Sequence, residues 1–99
     1  MLLARVVGNV VASAKSERVD GLKMLIIQPL DLEGQASGSY VVAFDAVGAG
    51  EGEIVLYASG SSARQTPATD GRPTDATIFA IVDTWDVDGE VKYDKSAED

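Results

Sequence analysis

The sequence predicts an all-β domain, a barrel or a sandwich, and three observations carry that expectation. Apolar or small residues recur with period two, most clearly at Leu2, Ala4, Val6, Gly8, Val10 and Ala12. Turn-forming pairs and clusters, Asp20-Gly21, Asp31 to Ser39, Asp70-Gly71 and Asp88-Gly89, punctuate the chain at short intervals. Only Gly60 to Arg64 reads as helical, and it is long enough for a single turn.

Strand one starts at Leu2 with its even positions facing inward, and Gly8 sits where a curved strand would bend or bulge. Ser13 to Arg18 is a polar loop, and Asp20-Gly21 turns the chain into strand two, about Leu22 to Gln28. There Leu22, Met24 and Ile26 share one face and Leu25 and Ile27 the other, and Pro29 marks an edge or an exit because it cannot donate to a ladder. A loop from Asp31 to Ser39 precedes strand three, Tyr40 to Phe44, and strand four is expected at Glu53 to Ala58. Gln65 to Pro73 is a polar connection leading to strand five, Ala76 to Trp85. The chain then closes on a hairpin around Asp88-Gly89. A three-residue loop with Gly89 left-handed, pairing Trp85 with Val91 and Asp83 with Tyr93, is preferred to a two-residue loop that pairs Trp85 with Lys92.

Ninety-nine residues, 45% hydrophobic and 24% charged, make one domain with a small core. The domain is expected over residues 1–95, with 96–99 a frayed tail. No apolar run reaches the length of a membrane span, and the N-terminus lacks the pattern of a signal peptide. The chain has no cysteine and no histidine, which excludes disulfides and removes the usual zinc, copper and haem ligands. No Asp-x-Asp-x-Asp-Gly calcium loop occurs, so neither metal nor cofactor is expected, and cytosolic folding is the natural default. A net charge of −8 speaks against nucleic acid, whose binding needs a basic surface.

The chain is organised around Asp45 to Arg64, a glycine-rich turn, a short apolar strand, and a second turn of small residues ending on a cation. A dinucleotide fingerprint needs glycine at its first, third and sixth positions and a helix after it; Gly48 and Gly50 fit, but Glu53 stands sixth and a strand follows. Glu51 and Glu53 would also repel a phosphate, and no Gly-Lys-Ser/Thr follows for a P-loop. A nucleophilic Ser61 or Ser62 lacks the elbow spacing and has no histidine base; a serine-lysine pair with Lys15, Lys23, Lys92 or Lys95 has no spacing to support it. Gly60 to Arg64 is better read as a turn capped by Ser59 or Ser61, with Arg64 near its C-terminal end.

The run Val47-Gly48-Ala49-Gly50-x-Gly52-Glu53-x-Val55-Leu56, followed by Ser59-Gly60-Ser61-Ser62-Ala63-Arg64, resembles the signature of the EutN/CcmL family, the pentameric vertex proteins of bacterial microcompartment shells. Arg5-Val6-Val7-Gly8-x-Val10-Val11 and Pro73-x-Asp75-Ala76-x-Ile78-x-Ala80-Ile81-Val82-Asp83 are similar too, in the same order, so the resemblance covers nearly the whole chain. It implies a small five-stranded OB-like barrel with one helical turn and a C-terminal hairpin. It also implies a structural protein rather than an enzyme: a homopentamer in the shell of a cytoplasmic microcompartment, partnered by hexameric and pseudohexameric shell proteins. In this chain the residues expected to shape loops at or near subunit contacts are Asp45, Gly48, Gly50, Glu53, Gly60, Ser61, Ser62, Arg64 and Asp83, with Arg64 able to pair across the contact with Asp45, Glu53 or Asp83.

Apolar side chains on both faces of the strands point the same way. A small barrel has one interior, yet Val7, Val11, Leu25, Ile27, Val41, Val55, Phe79 and Ile81 each lie opposite a face that is already apolar. Burying one such side chain is worth roughly 1.5–3 kcal/mol, so several exposed together favour association. The alternative is an OB-like module for an oligonucleotide or saccharide, which would want basic residues and stacked aromatics where this chain has 6% aromatics and net negative charge.

Overall fold

The computed structural model describes residues 1–13, 17, 21–70 and 75–97. Among the described residues seven strands form: β1 (Leu2–Val10), β2 (Lys23–Leu30), β3 (Val41–Asp45), β4 (Ile54–Ser59), β5 (Ala76–Ile81), β6 (Thr84–Val87) and β7 (Glu90–Asp94). The first five close into a barrel in the order β1-β2-β3-β5-β4, and β6 and β7 pair as a separate hairpin. All barrel pairings are antiparallel except β3 with β5, which is parallel and short, Phe44 opposite Thr77 and Asp45 opposite Ile78. The five-stranded barrel, the turn at Gly60–Arg64 and the C-terminal hairpin are those the sequence predicts.

The interior is filled by alternate residues of each strand: Ala4 and Val6 from β1, Leu25 and Ile27 from β2, Ala43 from β3, Val55 and Tyr57 from β4, Ala76 and Ile78 from β5. Small alanines face large aliphatics, as the narrow lumen of such a barrel requires. Ala4 and Val6 of β1 face inward as expected, but the register slips at the expected glycine, between Val6 and Gly8, and beyond it Gly8 and Val10 pair with Ile26 and Met24 on the outside of the barrel. In β2, β3 and β4 the faces are exchanged, whereas in β5 Ile78 is inside as expected. Leu25, Ile27 and Val55, expected on the outer faces, are buried in the lumen, and Val41 and Ile81 pack against it. The outward apolar residues are instead Met24, Ile26, Val42, Phe44 and Leu56, all half-buried or exposed. Period two separates two faces without saying which is inside; when both are apolar, pairing with the neighbouring strands decides.

Two further expectations are corrected at the end of the chain. Strand five does not run to Trp85. The Val82 N–H donates to the Ile54 carbonyl, the first residue of β4, beyond which β4 gives way to the glycine loop and offers no partner. The chain therefore leaves the barrel and begins again as β6. The hairpin uses the two-residue loop after all, because Asp88 (φ 51°) accompanies Gly89 (φ 79°) into the left-handed region, which makes a type I′ turn with Val87 opposite Glu90. A bulge between Trp85 and Asp86 then sets Trp85 opposite Tyr93 rather than Val91 or Lys92. Their rings stack with centroids 5.3 Å apart.

Lys95–Ala97 continue as a 3-10 turn, in which the Ser96 N–H and hydroxyl both donate to Asp94 Oδ1, at 3.0 and 2.7 Å. Glu98 and Asp99 lie outside the described residues, as do most of the Ser13–Arg18 loop, Asp20, Lys15 and the Gly71–Thr74 part of the polar connection, Pro73 included. The described part of that connection is more closed than its composition suggests. Thr66 and Thr69 are buried and bond to each other through their hydroxyls at 2.6 Å, and each hydroxyl also accepts the other residue's backbone N–H.

Candidate functional site

The segment between β3 and β4 is a loop held by two carboxylates. Asp45, the last residue of β3, turns its side chain back over the chain that follows: Oδ1 accepts the N–H groups of Val47 and Gly48 at 3.0 and 3.1 Å, and Oδ2 that of Ala49 at 2.9 Å. Its side chain is 2% exposed. Asp45 is thus the inner support of the loop, and its carboxylate is closed off from the surface. Glu53, at the other end, accepts the Gly50 N–H through Oε1 at 2.6 Å while its own N–H donates to the Gly50 carbonyl at 3.2 Å. This closes a four-residue turn in which Gly52 takes φ 87°, a conformation that a residue with a Cβ resists. Gly48, at φ 79°, does the same at the first bend.

Among the described residues three cations reach the loop. Lys23 Nζ donates to the Ala49 carbonyl at 3.0 Å and lies 4.0 Å from Asp45 Oδ2. Arg5 donates to the Gly52 carbonyl at 2.8 Å, and Lys95 Nζ reaches Glu53 Oε2 at 2.6 Å. The Lys95 hydrogen bond, followed by that from Gly50, holds the Glu53 carboxyl below its usual range, and Glu53 in turn raises Lys95. Backbone bonds join the loop to β1, Gly52 N–H to the Val6 carbonyl and Val6 N–H to the Glu53 carbonyl. Only the tip, with Val47, Gly48, Glu51 and Gly52, is exposed. Lys23, Arg5 and Lys95 escape sequence reasoning because each lies far along the chain from the loop it holds; the strand pairings β1–β4 and β2–β3 bring the first two there.

The second turn, Gly60–Arg64, follows β4 directly. It is a 3-10 helix whose preceding Ser59 makes no side-chain cap, so the capping role expected of Ser59 is not realised. Gly60 anchors it instead: its N–H donates to the Asp75 carbonyl at 2.9 Å. Ser61 and Ser62 are exposed, Ala63 is fully buried beneath them, and Arg64 is half-buried at the C-terminal end. The lysines within the described residues are engaged elsewhere, Lys23 and Lys95 at the glycine loop and Lys92 with Glu33 and Glu90 at 2.7 and 3.3 Å, so none is placed as a base for Ser61 or Ser62. Asp83 is exposed where the chain leaves the barrel, and its carbonyl accepts the Lys95 N–H.

The hairpin is clamped onto the β2–β3 loop. Trp85 Nε1 donates to the Leu32 carbonyl at 2.8 Å, and Lys92 bonds to Glu33, whose attraction raises the lysine pKa. Among the described residues no group of three or more His, Cys, Asp or Glu is placed to hold a metal ion, and no helix is long and apolar enough to cross a membrane.

Among the described residues the arrangement has loops shaped by backbone bonds and a surface that carries exposed apolar side chains. Residues 1–83 match the family model described as "Ethanolamine utilisation protein EutN/carboxysome". The carboxysome shell vertex protein CcmL of Synechococcus elongatus is 45% identical over 96% of this chain and 96% of its own. The solved structure of Gloeobacter violaceus CcmL superposes with a TM-score of 0.92 at 44% identity, covering 97% of this chain and 99% of that one. The pentameric microcompartment shell protein GrpN of Rhodospirillum rubrum superposes with a TM-score of 0.77 at 40% identity, over 88% of this chain and 98% of its own.

Proposed function

This chain belongs to the EutN/CcmL family, and on that premise we propose how it works as a shell vertex protein: five copies form a ring that occupies a corner of a bacterial microcompartment shell. Its role is geometric. A sheet of hexagonal tiles is flat, and a five-fold tile inserted among them supplies the angular deficit that lets the sheet curve and close. The observation that carries the reading is the match to named shell vertex proteins over nearly the whole of both chains, the glycine loop and serine turn included. Those relatives favour it over an oligonucleotide- or saccharide-binding module.

We infer further that hexameric and pseudohexameric shell proteins flank the ring and that nucleic acid is not a partner, in keeping with the charge of −8. Gly48, Gly50, Glu53, Gly60, Ser61, Ser62 and Arg64 shape the surfaces through which copies meet one another or the flanking tiles. Of the acids able to face Arg64 of a neighbouring copy, Asp83 is the best suited, since Asp45 and Glu53 already hold their own loop. Residues 1–95 act as one unit. Native mass spectrometry of the purified chain tests the ring, with a five-fold mass as the supporting result; a monomer at micromolar concentration would sink it. Co-expression with a hexameric shell protein tests the tiling: closed particles support it, and open sheets or tubes that exclude this chain count against it.

A further inference from the structure

A ring of five identical copies closes through a heterologous contact, in which each copy presents two different surfaces, and the pairing of those surfaces rests on the proposed pentamer. Among the described residues the outside of the barrel carries two separate apolar tracts. In the first, Gly8, Ile26 and Val42 are successive cross-strand partners over β1, β2 and β3, with Val10, Met24 and Phe44 alongside. Ile26 lies over Gly8, where an added Cβ would meet Ile26 Cδ1 at 3.5 Å, so the tract is smooth there. It ends on side chains that stand out from the barrel, Val42 at 49% and Tyr40 at 69% exposure.

The second tract is concave. Leu30, Leu3, Leu56 and Ala80 are successive partners over β2, β1, β4 and β5. The clamped hairpin overhangs this row, and Trp85 and Val87 wall off a groove of about 600 Å³ with Leu2 and Leu32 on its lining. The last two are 54% and 59% exposed.

We propose that the Tyr40–Val42 end of one copy packs into the Leu3–Leu56–Trp85 groove of the next copy around the ring. Three features select a second copy as occupant. The first tract ends on the exposed side chains of Tyr40 and Val42 and the second is hollow, so unlike surfaces fill each other where two grooves would leave voids. The groove is flanked by Asp31 and Asp86, and on a chain of net charge −8 the uncharged first tract is a surface that meets it without setting carboxylate against carboxylate. The two tracts also lie towards opposite ends of β1 and β2, Gly8 and Ile26 in one and Leu3 and Leu30 in the other, so each copy presents two unlike surfaces, the condition for a contact that propagates around a ring instead of ending at a two-fold pair.

The absence of cysteine gives a direct test, because introduced thiols are then the only ones. In a Leu32→Cys/Val42→Cys double variant, treatment with a short bismaleimide is expected to produce a covalent ladder ending at five copies, while each single variant stays uncrosslinked. A pentameric double variant that yields no ladder, or a crosslinked dimer of Val42→Cys alone, overturns the pairing and leaves the ring standing. A parent chain that is not pentameric removes the ring and the pairing together. In parallel, Val42→Asp and Leu2→Asp are expected to raise the concentration needed for assembly by roughly ten-fold or more. Val91→Asp, at a site 64% exposed and outside both tracts, is expected to leave it unchanged. Equal losses in all three variants would overturn the proposal, and should Val42→Asp fail to fold, the crosslinking result decides.

Discussion

Lys95 Nζ stands 2.6 Å from Glu53 Oε2, across 42 positions of sequence, and fastens the last turn of the chain to the glycine loop. The other oxygen of the same carboxylate holds the Gly50 N–H. Glu53 thus joins the loop to the hairpin end, and its ionisation governs both.

The pH dependence of stability follows from this pair. The Glu53 pKa is lowered on folding, chiefly by Lys95 and then by the Gly50 N–H, so its contribution is fully present above the unfolded glutamate value and is lost as pH falls through the lowered one. The Lys95 pKa is raised by Glu53, so its contribution is present below the unfolded lysine value and is lost as pH rises through the raised one. Thermal melts of Glu53→Gln are expected to lie below the parent at neutral pH and to converge with it in acid. A constant gap down to full protonation would show that the carboxylate charge is not the cause.

Asp45→Ala is expected to cost about 2–4 kcal/mol, because three backbone N–H groups lose their acceptor at a buried position. Asp45→Asn keeps one carbonyl oxygen and should fall between the two. Denaturant unfolding curves check the order, and an Asp45→Ala chain as stable as the parent would mean that water replaces the carboxylate at no cost.

The glycines of the loop should differ sharply when changed to alanine. Gly48 and Gly52 have φ 79° and 87°, and each substitution is expected to cost about 1–2 kcal/mol. Gly50 has an ordinary φ, and its added Cβ would meet only Glu53 Oε1 at 3.5 Å, so Gly50→Ala should be close to neutral. Comparable losses at all three positions would contradict the loop geometry.

Trp85 is the single tryptophan of the chain, which makes its fluorescence a local probe of the hairpin clamp. Trp85→Phe removes the hydrogen bond to the Leu32 carbonyl and shrinks the stack on Tyr93, at an expected cost of about 1–2 kcal/mol. In the parent chain, Leu2→Asp at the groove mouth should alter the Trp85 emission, and an unchanged spectrum would separate the two sites.

In the proposed ring, five copies at −8 each carry a charge of −40. Salt screens such repulsion, so sedimentation at neutral pH should show the ring persisting to lower protein concentration as salt rises. Dissociation by salt would instead point to ion pairs as the main cement of the contact.

Much of the architecture was legible. Period two in β1 as far as Gly8, the bulge there and the helical turn at Gly60–Arg64 are local properties, written in side-chain alternation and turn chemistry. The inward phase of β2 and β4 was not, because both faces of Met24–Ile27 and Ile54–Tyr57 are apolar and only the partner strands choose between them. The hairpin register was missed for a related reason: Asp88 joins Gly89 in the left-handed region, and a bulge then brings Trp85 onto Tyr93, a contact with no trace in local spacing. Within the candidate site the glycines and Asp45 could be singled out from sequence, while Arg5, Lys23 and Lys95 could not, since long-range pairing alone brings them to the loop.

By itself, then, the sequence determined what short stretches of chain decide: strands, turns, one small core, an acidic surface and more apolar side chains than one barrel can enclose. Tertiary structure decided which of those side chains the barrel encloses and which it leaves outside as an apolar tract and a groove. Barrel closure imposes one register on all five strands at once, and no strand carries that constraint alone.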